Sequence, residues 1–530
     1  MVLFTSYLFF LKLAFMLIAL LILISNVDDA FVDLYYLIHK FRRRIFVYRK
    51  HRRFRAQDLL LKDEQPFALM IPAWREARVI GAMLENTLSS YNYTNYHIFV
   101  GCYPNDPETC QAVTRLLPGH KKLHCLVLER PGPTSKADCL NQLYREITTF
   151  EQRSGLQFAG YILHDAEDIV HPLELKLYNH LIPRKDMVQI PVIPLERPWR
   201  DLTGGHYQDE FAENHIKELV VRESLTGHVP SAGVGTALSR RALATLSTNY
   251  RAAPFDPSNL TEDYDLALRL KQQGLRLIFA RFRAAPHDII ATREFFPDRI
   301  PAVIRQKSRW LTGIALQGWR NQKWRGSPAM KYALFRDRKG ILTAHLSMAA
   351  YFIVLNILLV WLIEGLFPDG YRYPPLVRRG EPLEYLLWAN LVFLVNRALH
   401  RVFFTGRIYG GLSALLSLPR QLWGNMLNFF AALRAIYLYS GHILFDIPLV
   451  WDKTDHSFPD QQQLSPYRKR LGELLIDHRL ITLDQLDAAL RQQAGRAIKL
   501  GQILVEQGDI SNRDLTELLS LQGIGHEPQD

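Results

Sequence analysis

The chain has little cysteine: four residues in 530, with no CxxC pair among them. A protein held together by disulfides needs a much higher density of cysteine, so that class is excluded. No histidine pair lies near these cysteines at the spacing of a zinc finger, so zinc fingers are excluded as well. Cys102, Cys110, Cys125 and Cys139 are interpreted as reduced thiols of a cytoplasmic region.

A large excess of one charge is missing as well. Lys and Arg number 64 and Asp and Glu 52, a formal net charge of 64 − 52 = +12, with 48% apolar and 22% charged residues. These proportions are ordinary for a chain that buries a core, and they exclude both a disordered chain and a protein made only of membrane helices. Because the length corresponds to about three domains, the clustering of the apolar residues decides the architecture.

One apolar cluster is N-terminal. Tyr7 to Ser25 carries a single charge, Lys12, and with the apolar residues before it is long enough to cross a bilayer. No basic stretch precedes it and no small-residue cleavage pattern follows it, which favours a retained anchor over a secretory signal peptide.

The stretch from Lys40 to Arg55 has nine Lys or Arg and no acidic residue. Beside a membrane helix, the positive-inside rule and contact with anionic lipid account for such a stretch. It also contains most of the net positive charge. We therefore predict a lipid bilayer and no nucleic acid as partner, with residue 40 onward in the cytoplasm.

Three later segments are apolar. Ile341 to Ile363 has no Asp, Glu, Lys or Arg and is the clearest span, and Tyr385 to about Phe404 is a weaker one in which Arg397 snorkels. Gly411 to Ser440 is interrupted by one proline and two arginines, which favours a helix lying in the interface. This interpretation gives three spans and a cytoplasmic C-terminus.

Between the anchors, residues 65 to 335 alternate short β-rich runs with helical ones, such as the helical stretch Glu76 to Ser90. Four runs are typical of buried strands: Phe67–Ile71, His97–Gly101, Leu123–Leu128 and Gly160–Leu163. The alternation predicts a mostly parallel sheet with helices on both faces, and ligands bind at the carboxyl ends of such strands.

Acidic residues stand at three of these ends. Glu76 follows the first strand, Asp106 the second, and Asp165 and Glu167 the fourth. Carboxylates around one crevice repel one another unless a cation lies among them, and paired oxygens suit Mg²⁺ or Mn²⁺ carrying a diphosphate. A single Asp-x-Glu could merely cap a helix, but its register with the other two ends favours a metal site.

Two motifs follow further along the chain. Thr261-Glu-Asp263 precedes a helical run, where Thr261 could serve only as a cap. Gln306, Arg309 and Trp310 are spaced i, i+3 and i+4, so they share one helix face that can hold a phosphate and stack a sugar or base. Taken alone, that face could equally be a packing surface.

Together these motifs resemble the processive, membrane-bound family 2 glycosyltransferases, the cellulose, chitin and hyaluronan synthase group, over residues 60 to 455. That group combines a first-strand Pro, a nucleotide-binding Asp, an Asp-x-Asp, a Thr-Glu-Asp and a Gln-x-x-Arg-Trp in this order. Trp451-Asp-Lys-Thr after the spans is most similar to the phage-adsorption protein B type. The resemblance implies an α/β nucleotide-sugar-binding (GT-A-like) domain with transmembrane helices.

The resemblance also implies roles for individual residues. Substrate binding is expected of Pro72, Glu76, Asp106, Lys136 and Asp165, with Asp106 on the uridine and Lys136 on the diphosphate side. The catalytic set implied is Asp263 as general base, Glu262 beside it, and Gln306, Arg309 and Trp310 holding acceptor and diphosphate. Metal binding is expected of Asp165 and Glu167. Asp168 is a rival ligand, because the motif here is Asp-Ala-Glu-Asp.

The C-terminus contains an internal repeat with an offset of 29 residues, since 499 − 470 = 29. A helical bundle with a leucine core would explain the repeated Leu but not the repeated (Arg/Lys)-Leu-Gly and Gln. The repeat resembles the MshE N-terminal domain, a cyclic-di-GMP receptor built from two tandem copies, over residues 468 to 522. It departs from that pattern at Arg479, which matches Gly508 in the second copy, and at Lys499, which replaces Arg.

The resemblance implies fifteen residues that contact cyclic-di-GMP: Arg470, Leu471, Gly472, Leu475, Leu486, Leu490 and Gln493 in the first copy, and Lys499, Leu500, Gly501, Leu504, Gly508, Leu515, Leu519 and Gln522 in the second. Glycine at a helix start would let the backbone approach a ring or phosphate. Lysine in place of arginine loses bidentate contact.

The predicted organisation has five parts: an anchor with its basic segment (1–58), a catalytic domain (59–335), transmembrane and interfacial helices (336–450), a flexible linker (451–467) and a small all-α cyclic-di-GMP-binding domain (468–530). The predicted function is inverting transfer from a UDP-sugar, expected to be an N-acetylhexosamine, onto a growing exopolysaccharide.

The resemblance places this multi-pass protein in a bacterial inner membrane, with catalytic and C-terminal domains cytoplasmic, cyclic-di-GMP as activator and an outer-membrane export or receptor protein as partner. Two alternatives stay open: an inactive scaffold that only senses cyclic-di-GMP, and an enzyme that adds one sugar to a lipid carrier.

Overall fold

A computed structural model describes residues 2–51, 54–249, 253–285, 288–367, 375–450, 453, 456–464, 467, 471–493 and 498–521. Two of the predicted cyclic-di-GMP ligands, Arg470 and Gln522, lie outside the described residues.

A mixed sheet forms the centre of the catalytic block. The strands of the described residues are β1 (Phe67–Ala73), β2 (Tyr96–Cys102), β3 (Leu123–Val127), β4 (Gly160–Leu163), β5 (Met187–Gln189), β6 (Val192–Pro194), β7 (Thr236–Ser239), β8 (Leu277–Phe279), β9 (Arg283–Ala285), β10 (Asp288–Ile289) and β11 (Thr292–Glu294). Seven of them form one sheet in the order β3-β2-β1-β4-β7-β5-β8, in which β7 is antiparallel to both neighbours. The four predicted strands and the mostly parallel sheet are confirmed.

Strand β1 contributes side chains to the apolar clusters on both faces of the sheet. Phe67, Leu69 and Ile71 belong to the apolar cluster on one face of the sheet, and Ala68 and Met70 to the cluster on the other face. Successive side chains of a strand point to opposite faces, so a continuous apolar run requires cover on both sides. Each fully buried large side chain contributes about 1.5–3 kcal/mol, and this two-sided burial fixes the strand ends that carry the candidate site.

Helices cover both faces of the sheet. The described helices up to the membrane region are α1 (Val2–Arg42), α2 (Ala56–Leu60), α3 (Ile80–Ser90), α4 (Pro107–Thr114), α5 (Lys136–Ser154), α6 (Glu174–Leu181), α7 (Leu202–Glu213), α8 (Leu219–Thr226), α9 (Arg240–Asn249), α10 (Glu262–Gln272), α11 (Ile300–Leu311) and α12 (Gly318–Gln322). Helix α3 begins four residues later than predicted. Helix α5 begins where the Ser135 hydroxyl accepts a hydrogen bond from the Asp138 amide at 3.2 Å.

Two described helices are long and apolar enough to cross a membrane: Ser6–Val47, which contains most of α1, and α13 (Pro328–Leu366). They match the predicted anchor and the predicted span 341–363. The weaker predicted span, 385–404, lies in α14 (Pro382–Phe445) and is not among these two, so it stays a prediction.

Helix α14 is interrupted at Gly410, whose φ of 84° is a left-handed conformation that glycine adopts without strain. The half after Gly410 packs on the catalytic block. Arg420 lies 2.9 Å from Asp209, both side chains almost fully buried, and Arg434 donates to the Ser308 hydroxyl at 2.7 Å. The two arginines that interrupt the apolar run therefore dock it onto α7 and α11. That this stretch lies in the membrane interface stays a prediction.

Ion pairs join α1 to the rest of the chain. Asp28 lies 2.6 Å from Arg336 of α13, and Asp33 lies 2.5 Å from Lys217. Both acids follow the apolar part of α1, so the same helix contacts the catalytic block and the second apolar helix.

The tail forms two matched helix pairs after a short helix α15 (Gln461–Leu464). They are α16 (Leu471–Asp477), α17 (Leu483–Gln493), α18 (Leu500–Glu506) and α19 (Asn512–Leu521). Both offsets are 29 residues, since 500 − 471 = 29 and 512 − 483 = 29. The repeat read from the sequence is thus a repeat of structure.

Candidate active site

The carboxyl ends of β1 and β4 meet at one edge of the sheet. These strands are adjacent and parallel, with Met70 paired to Leu163, so the loops after them leave the sheet together. A cavity of about 120 Å³ lies there, lined by Pro72, Glu76, Lys136, Asp165, Glu167, Glu262, Asp263, Gln306, Arg309 and Trp310 among others. The structure thus brings together every predicted catalytic, substrate-binding and metal-binding residue except Asp106 and Asp168.

Asp106 lies behind this cavity. Its carboxylate accepts a hydrogen bond from the Arg75 amide at 2.5 Å, and it is 7% exposed. Arg75 has a φ of 56°, a conformation that costs a non-glycine residue about 1–2 kcal/mol. Asp106 therefore holds the loop that presents Glu76. Its predicted contact with uridine stays a prediction.

Lys136 and Asp165 form an ion pair inside the cavity. The Lys136 ammonium lies 2.5 Å from Asp165 Oδ1 and 3.3 Å from the Gly233 carbonyl oxygen. Burial by itself would lower the pKa of Lys136, but the carboxylates of Asp165, Glu262 and Asp263 outweigh it and raise the pKa. Lys136 is therefore a fixed positive charge, as binding a diphosphate requires.

Glu76, Glu167 and His456 form a cluster of possible metal ligands. His456 Nδ1 lies 3.0 Å from Glu76 Oε1 and 3.1 Å from Glu167 Oε2, and the ligand atoms of all three residues lie within 4.8 Å of one another. Burial raises the pKa of Glu167 to about 7, a shift that His456 opposes. Two carboxylates and an imidazole suit a divalent cation such as Mn²⁺, so these residues fit the predicted metal.

Asp168, the predicted rival ligand, faces away from the cavity. Its Oδ2 lies 2.7 Å from His164 Nδ1, and His164 Nε2 lies 2.8 Å from Glu174 Oε1, with all three side chains fully buried. Burial would lower the pKa of His164, but Glu174 and Asp168 outweigh it and raise the pKa to about 10. Asp168 thus stabilises a buried imidazolium, and this geometry favours Glu167 over it as the metal ligand. The assignment of Asp168 as a ligand stays a prediction.

Asp263 and Glu262 open helix α10. Thr261 precedes them without a capping hydrogen bond from its side chain, so a mere cap does not explain the motif. Burial raises the pKa of Asp263, and the charges of Lys136 and Arg309 oppose that rise. Burial and the neighbouring Asp263 raise the pKa of Glu262 to about 7.

Gln306 and Trp310 connect the cavity to an aromatic cluster. The Gln306 amide oxygen accepts a hydrogen bond from the Tyr207 hydroxyl at 2.7 Å. The Trp310 ring lies 6.2 Å from the ring of Tyr207, 6.3 Å from that of Phe211 and 6.4 Å from that of Phe296. The predicted shared face of α11 is therefore turned toward the cavity and is not an exposed packing surface.

Sequence reasoning missed three residues of the site: Glu294, Lys453 and His456. Glu294 ends β11, which pairs with β6 outside the main sheet, so no strand-end pattern marks it. Burial, followed by the negative charges of Asp168 and Glu167, raises the pKa of Glu294. Lys453 and His456 belong to a polar run after α14, and only a lysine and a histidine close together could have drawn attention to it.

The segment containing them is not the flexible linker that the composition predicts. The Lys453 ammonium donates to the Trp74 carbonyl oxygen at 2.5 Å and lies 2.9 Å from Glu76 Oε1. Further on, Leu464 is 3% exposed in an apolar cluster with Ile169 and Leu195. Lys453, His456 and Leu464 therefore contact the catalytic block.

Three more cavities continue from the aromatic side of the site. The first shares Asp263, Phe296 and Trp310 with the active-site cavity. The second cavity shares Arg222 and Asp337 with the first. The third cavity shares Glu218 and Arg336 with the second. Asn214 lines all three of these cavities. The last, of about 320 Å³, lies among ion-paired residues of α1, α13 and α14. Adjacent cavities thus lead from Asp263 to the two apolar helices.

In the tail, packing accounts for several residues assigned to cyclic-di-GMP. Leu475 and Leu504 are fully buried in the tail core, so packing accounts for them. Their contacts with cyclic-di-GMP stay predictions. Leu471, Leu486, Leu500 and Leu515 pack against that core. Gln493 donates its side-chain amide to the Ile498 carbonyl oxygen at 2.9 Å. Leu490 is 44% exposed and remains available to a ligand, as is Lys499 at the start of α18.

The repeated glycines also have a packing reason. A Cβ on Gly472 would lie 2.7 Å from Leu486 Cδ1, and one on Gly501 would lie 2.6 Å from Leu515 Cδ1. Each glycine therefore lets the second helix of its pair approach the first. Arg479 and Gly508 both have positive φ, 56° and 74°, so the sequence departure at Arg479 places an arginine in a conformation that favours glycine.

Residues 161–363 match the model of the family described as glycosyl transferase family group 2. The match contains Asp165, Glu167, Asp263 and Arg309, the residues that the structure gathers around the cavity. The domain is thus that of a family 2 glycosyltransferase.

Two curated relatives from bacteria define the family more closely. The chain is 42% identical over 550 aligned positions to bacteriophage adsorption protein B of Escherichia coli K12, which covers 99% of this chain and 73% of the relative. It has the same identity and coverage with bacteriophage N4 adsorption protein B of Escherichia coli O157:H7. The chain belongs to the bacteriophage adsorption protein B family.

Two solved structures resemble this chain at a low level. The mannosyltransferase PcManGT from Pyrobaculum calidifontis, in complex with GDP-Man and Mn²⁺, superposes with a TM-score of 0.44 and 16% identity over 76% of this chain and 99% of its own. S. aureus TarS superposes with a TM-score of 0.30 and 13% identity over 46% of this chain and 39% of its own.

Proposed function

We propose that the protein transfers a sugar from a nucleoside-diphosphate donor to a glycan acceptor, with inversion at the anomeric carbon. One observation carries the proposal. A fixed ammonium (Lys136), a cluster of possible cation ligands (Glu76, Glu167 and His456) and an acidic base candidate (Asp263) line a single cavity.

The donor diphosphate would lie between Lys136 and Arg309. Cleavage of the glycosyl–phosphate bond leaves negative charge on the diphosphate, and fixed positive groups stabilise that charge most in a water-poor site. Lys136 is paired with Asp165 at 2.5 Å, so a diphosphate oxygen replaces part of this pairing when the donor binds. We expect a UDP-sugar, and an N-acetylhexosamine in particular, on the resemblance described above.

Glu76, Glu167 and His456 would hold Mg²⁺ or Mn²⁺. A bound divalent cation neutralises diphosphate oxygens and so improves the leaving group. Because Mg²⁺ prefers oxygen ligands, an imidazole in the set favours Mn²⁺. The protein's own contribution is to keep two carboxylates close together, one from the loop after β1 and one from the loop after β4.

Asp263 would accept the proton of the acceptor hydroxyl as that oxygen attacks the anomeric carbon. A single base with direct displacement inverts the configuration. Burial raises the pKa of Asp263, and the charges of Lys136 and Arg309 oppose that rise and so favour the ionised, proton-accepting form.

Elongation of an exopolysaccharide, with export through the membrane region, is favoured by the cavities that continue from Trp310 to α1, α13 and α14. Aromatic rings such as Phe296 and Trp310 suit sugar faces, and the paired charges further on suit the hydroxyls of a polar chain. Addition of one sugar to a lipid carrier needs no such passage.

The test is to supply radiolabelled nucleotide sugars, each in turn, to the full-length protein in nanodiscs with Mn²⁺, and to size the products. A ladder of glycans supports elongation, and the active donor identifies the sugar. A single lipid-soluble product would establish the alternative, while absence of transfer from any donor would favour an inactive scaffold.

Activation by cyclic-di-GMP rests on the tandem repeat at residues 468–530, which the 29-residue offset of the tail helices supports. Exposed Leu490 and Lys499 remain candidates for contact, together with Arg470. Calorimetry with the full-length protein should show binding that Lys499→Ala weakens. Absence of heat at high micromolar cyclic-di-GMP would leave the tail as a docking module only.

We place the protein in a bacterial inner membrane, with catalytic and C-terminal domains in the cytoplasm, because of the two apolar helices and the basic stretch after the first. An outer-membrane export or receptor protein as partner accords with the name of the relatives, which refers to phage adsorption. Reporter fusions after residue 60 and at the C-terminus should both report the cytoplasm.

A further inference from the structure

The chain returns to the candidate site after the membrane region. We use the name strap for Lys453, residues 456–464 and Tyr467. At its beginning, Lys453 Nζ donates to the Trp74 carbonyl oxygen at 2.5 Å and also to the Arg75 carbonyl oxygen. His456 then lies between Glu76 and Glu167, at 3.0 and 3.1 Å. The strap thus supplies one side of the proposed cation site.

The other end of the strap is anchored on β11. Leu464, 3% exposed, packs in a cluster with Ile169 and Leu195, and the strap's Phe458 and Tyr467 pack against the same cluster. The Arg293 guanidinium lies 4.5 Å from the centre of the Tyr467 ring. Arg293 in turn exchanges backbone hydrogen bonds with Ile169, at 2.7 and 3.0 Å, two residues beyond Glu167. The anchor therefore rests on the segments that carry the site.

The tail domain begins directly after this anchor. Tyr467 is four residues before Leu471, the first residue of α16. Four residue steps span at most about 14 Å when fully extended. A displacement of α16 beyond that reach must pull on Tyr467, and through the strap on His456, eleven residues earlier. The position of the tail and the position of a proposed cation ligand are thus linked by a short stretch of chain.

We infer that Leu464 and Tyr467 are positioning residues that hold His456 in the cation site, so that the placement of the tail domain sets the affinity of that site for a divalent cation. This inference rests on the proposed function, in which Glu76, Glu167 and His456 bind the cation. The tail then acts on the transferase by supplying or withdrawing one metal ligand. Control of this kind needs no contact between the tail and the donor.

The experiment measures Mn²⁺ on the full-length protein in nanodiscs by electron paramagnetic resonance. Continuous-wave spectra give the dissociation constant, and pulsed spectra give the ¹⁴N coupling of a directly bound imidazole. The variants are Tyr467→Ala and Leu464→Ala at the anchor, and His456→Ala at the ligand. Gln462→Ala is the matched control, because Gln462 is an exposed residue of the same strap.

Both anchor variants should raise the dissociation constant for Mn²⁺ by about 10-fold or more and reduce the ¹⁴N coupling, as loss of a supporting residue does at other metal sites. Tyr467→Phe, which keeps the ring over Arg293, should retain both values, and so should Gln462→Ala. Thermal unfolding of each variant measures loss of fold separately, so an anchor variant that still unfolds cooperatively but has lost the ¹⁴N coupling has lost the position of His456 and not its fold.

Wild-type affinity and ¹⁴N coupling in Tyr467→Ala and Leu464→Ala would overturn the inference while leaving the proposed cation site intact. If His456→Ala itself binds Mn²⁺ like the wild type, the assignment of His456 as a ligand is wrong, and the inference fails with it. The two failures are thus told apart by which variant keeps its affinity.

Discussion

In the catalytic block, the carboxylates of three motif residues lie around one cavity: Glu76, Asp165 and Asp263. Packing does not require this arrangement. In the tail, the motif residues Gly472 and Leu475 are accounted for by the packing of two helices. Both regions carry sequence motifs of similar specificity. A motif therefore supports a chemical function only where the packing of the fold does not already account for its residues.

The largest expected effect comes from removing the proposed general base, Asp263. Asp263→Asn keeps the size of the side chain but cannot accept the acceptor proton, so transfer should fall by about 10²–10⁴-fold. Steady-state rates with donor and acceptor measure the loss, and donor binding by calorimetry should be nearly unchanged. Asp298→Asn, at an exposed carboxylate outside the cavity, is the control. Wild-type turnover in Asp263→Asn would refute the assignment.

The second test separates two acids of one motif. Asp168→Ala removes a partner of buried His164 and should lower the free energy of unfolding by about 3–5 kcal/mol, measured by thermal unfolding in detergent. Glu167→Ala should leave stability nearly intact and abolish Mn²⁺ binding at this site. If Asp168→Ala stays stable and loses Mn²⁺ binding, then Asp168 and not Glu167 is the metal ligand.

The third test concerns pH. Ionised Lys136 lowers the pKa of Asp263, so without it the base stays protonated to a higher pH. Lys136→Met should therefore move the acidic limb of the kcat–pH profile to higher pH, measured at saturating donor so that weaker diphosphate binding does not contribute. A limb that moves to lower pH, or stays in place, would show that another group controls it.

The fourth test turns to the tail. Gly501→Ala inserts a methyl group against Leu515, at a cost of about 1–3 kcal/mol, which should exceed the gain of roughly 1 kcal/mol in helix propensity. Hydrogen exchange in α18 and α19 of the full chain measures the loss. Adding Leu515→Ala should relieve the clash, and a double-mutant cycle with no coupling would contradict the packing explanation. Glu506→Ala, exposed at the end of the same helix, is the control.

The smallest expected effect is at Arg479. Arg479→Gly removes a non-glycine residue from a left-handed conformation and should stabilise the first helix pair by about 1 kcal/mol. Gly508→Ala, at the matching position of the second copy, should destabilise that pair by a similar amount. Hydrogen exchange in α16 and α17 detects the first change. Equal protection in Arg479→Gly and wild type would show that the φ is relaxed in solution.

Much of the catalytic fold was predictable because its signals are local. Alternation of β-rich and helical runs predicts the strands, and the acids after three of the four predicted strands mark the edge where the site forms. Asp168 could not be sorted from Glu167 in this way, because adjacent residues after a strand differ only in which side of the loop they face. The structure separates them by giving Asp168 a buried partner, His164.

His456 could not be predicted because its two carboxylate partners lie far away in the sequence. Its partners, Glu76 and Glu167, are 380 and 289 residues away, since 456 − 76 = 380 and 456 − 167 = 289. A polar, Gln- and Pro-containing stretch is typical of a linker by composition. Contacts from Lys453 and buried Leu464 override that tendency, and composition does not encode them.

The late position of His456 in the chain has a consequence for biosynthesis. Glu76 and Glu167 are made long before it, and α13 ends 90 residues earlier, since 456 − 366 = 90. A nascent chain can therefore fold the sheet and insert its apolar helices while the two carboxylates still lack their third partner. Only when synthesis has passed the membrane region does the histidine reach them. A protein built in this order completes the proposed cation site last, after both apolar helices have been made.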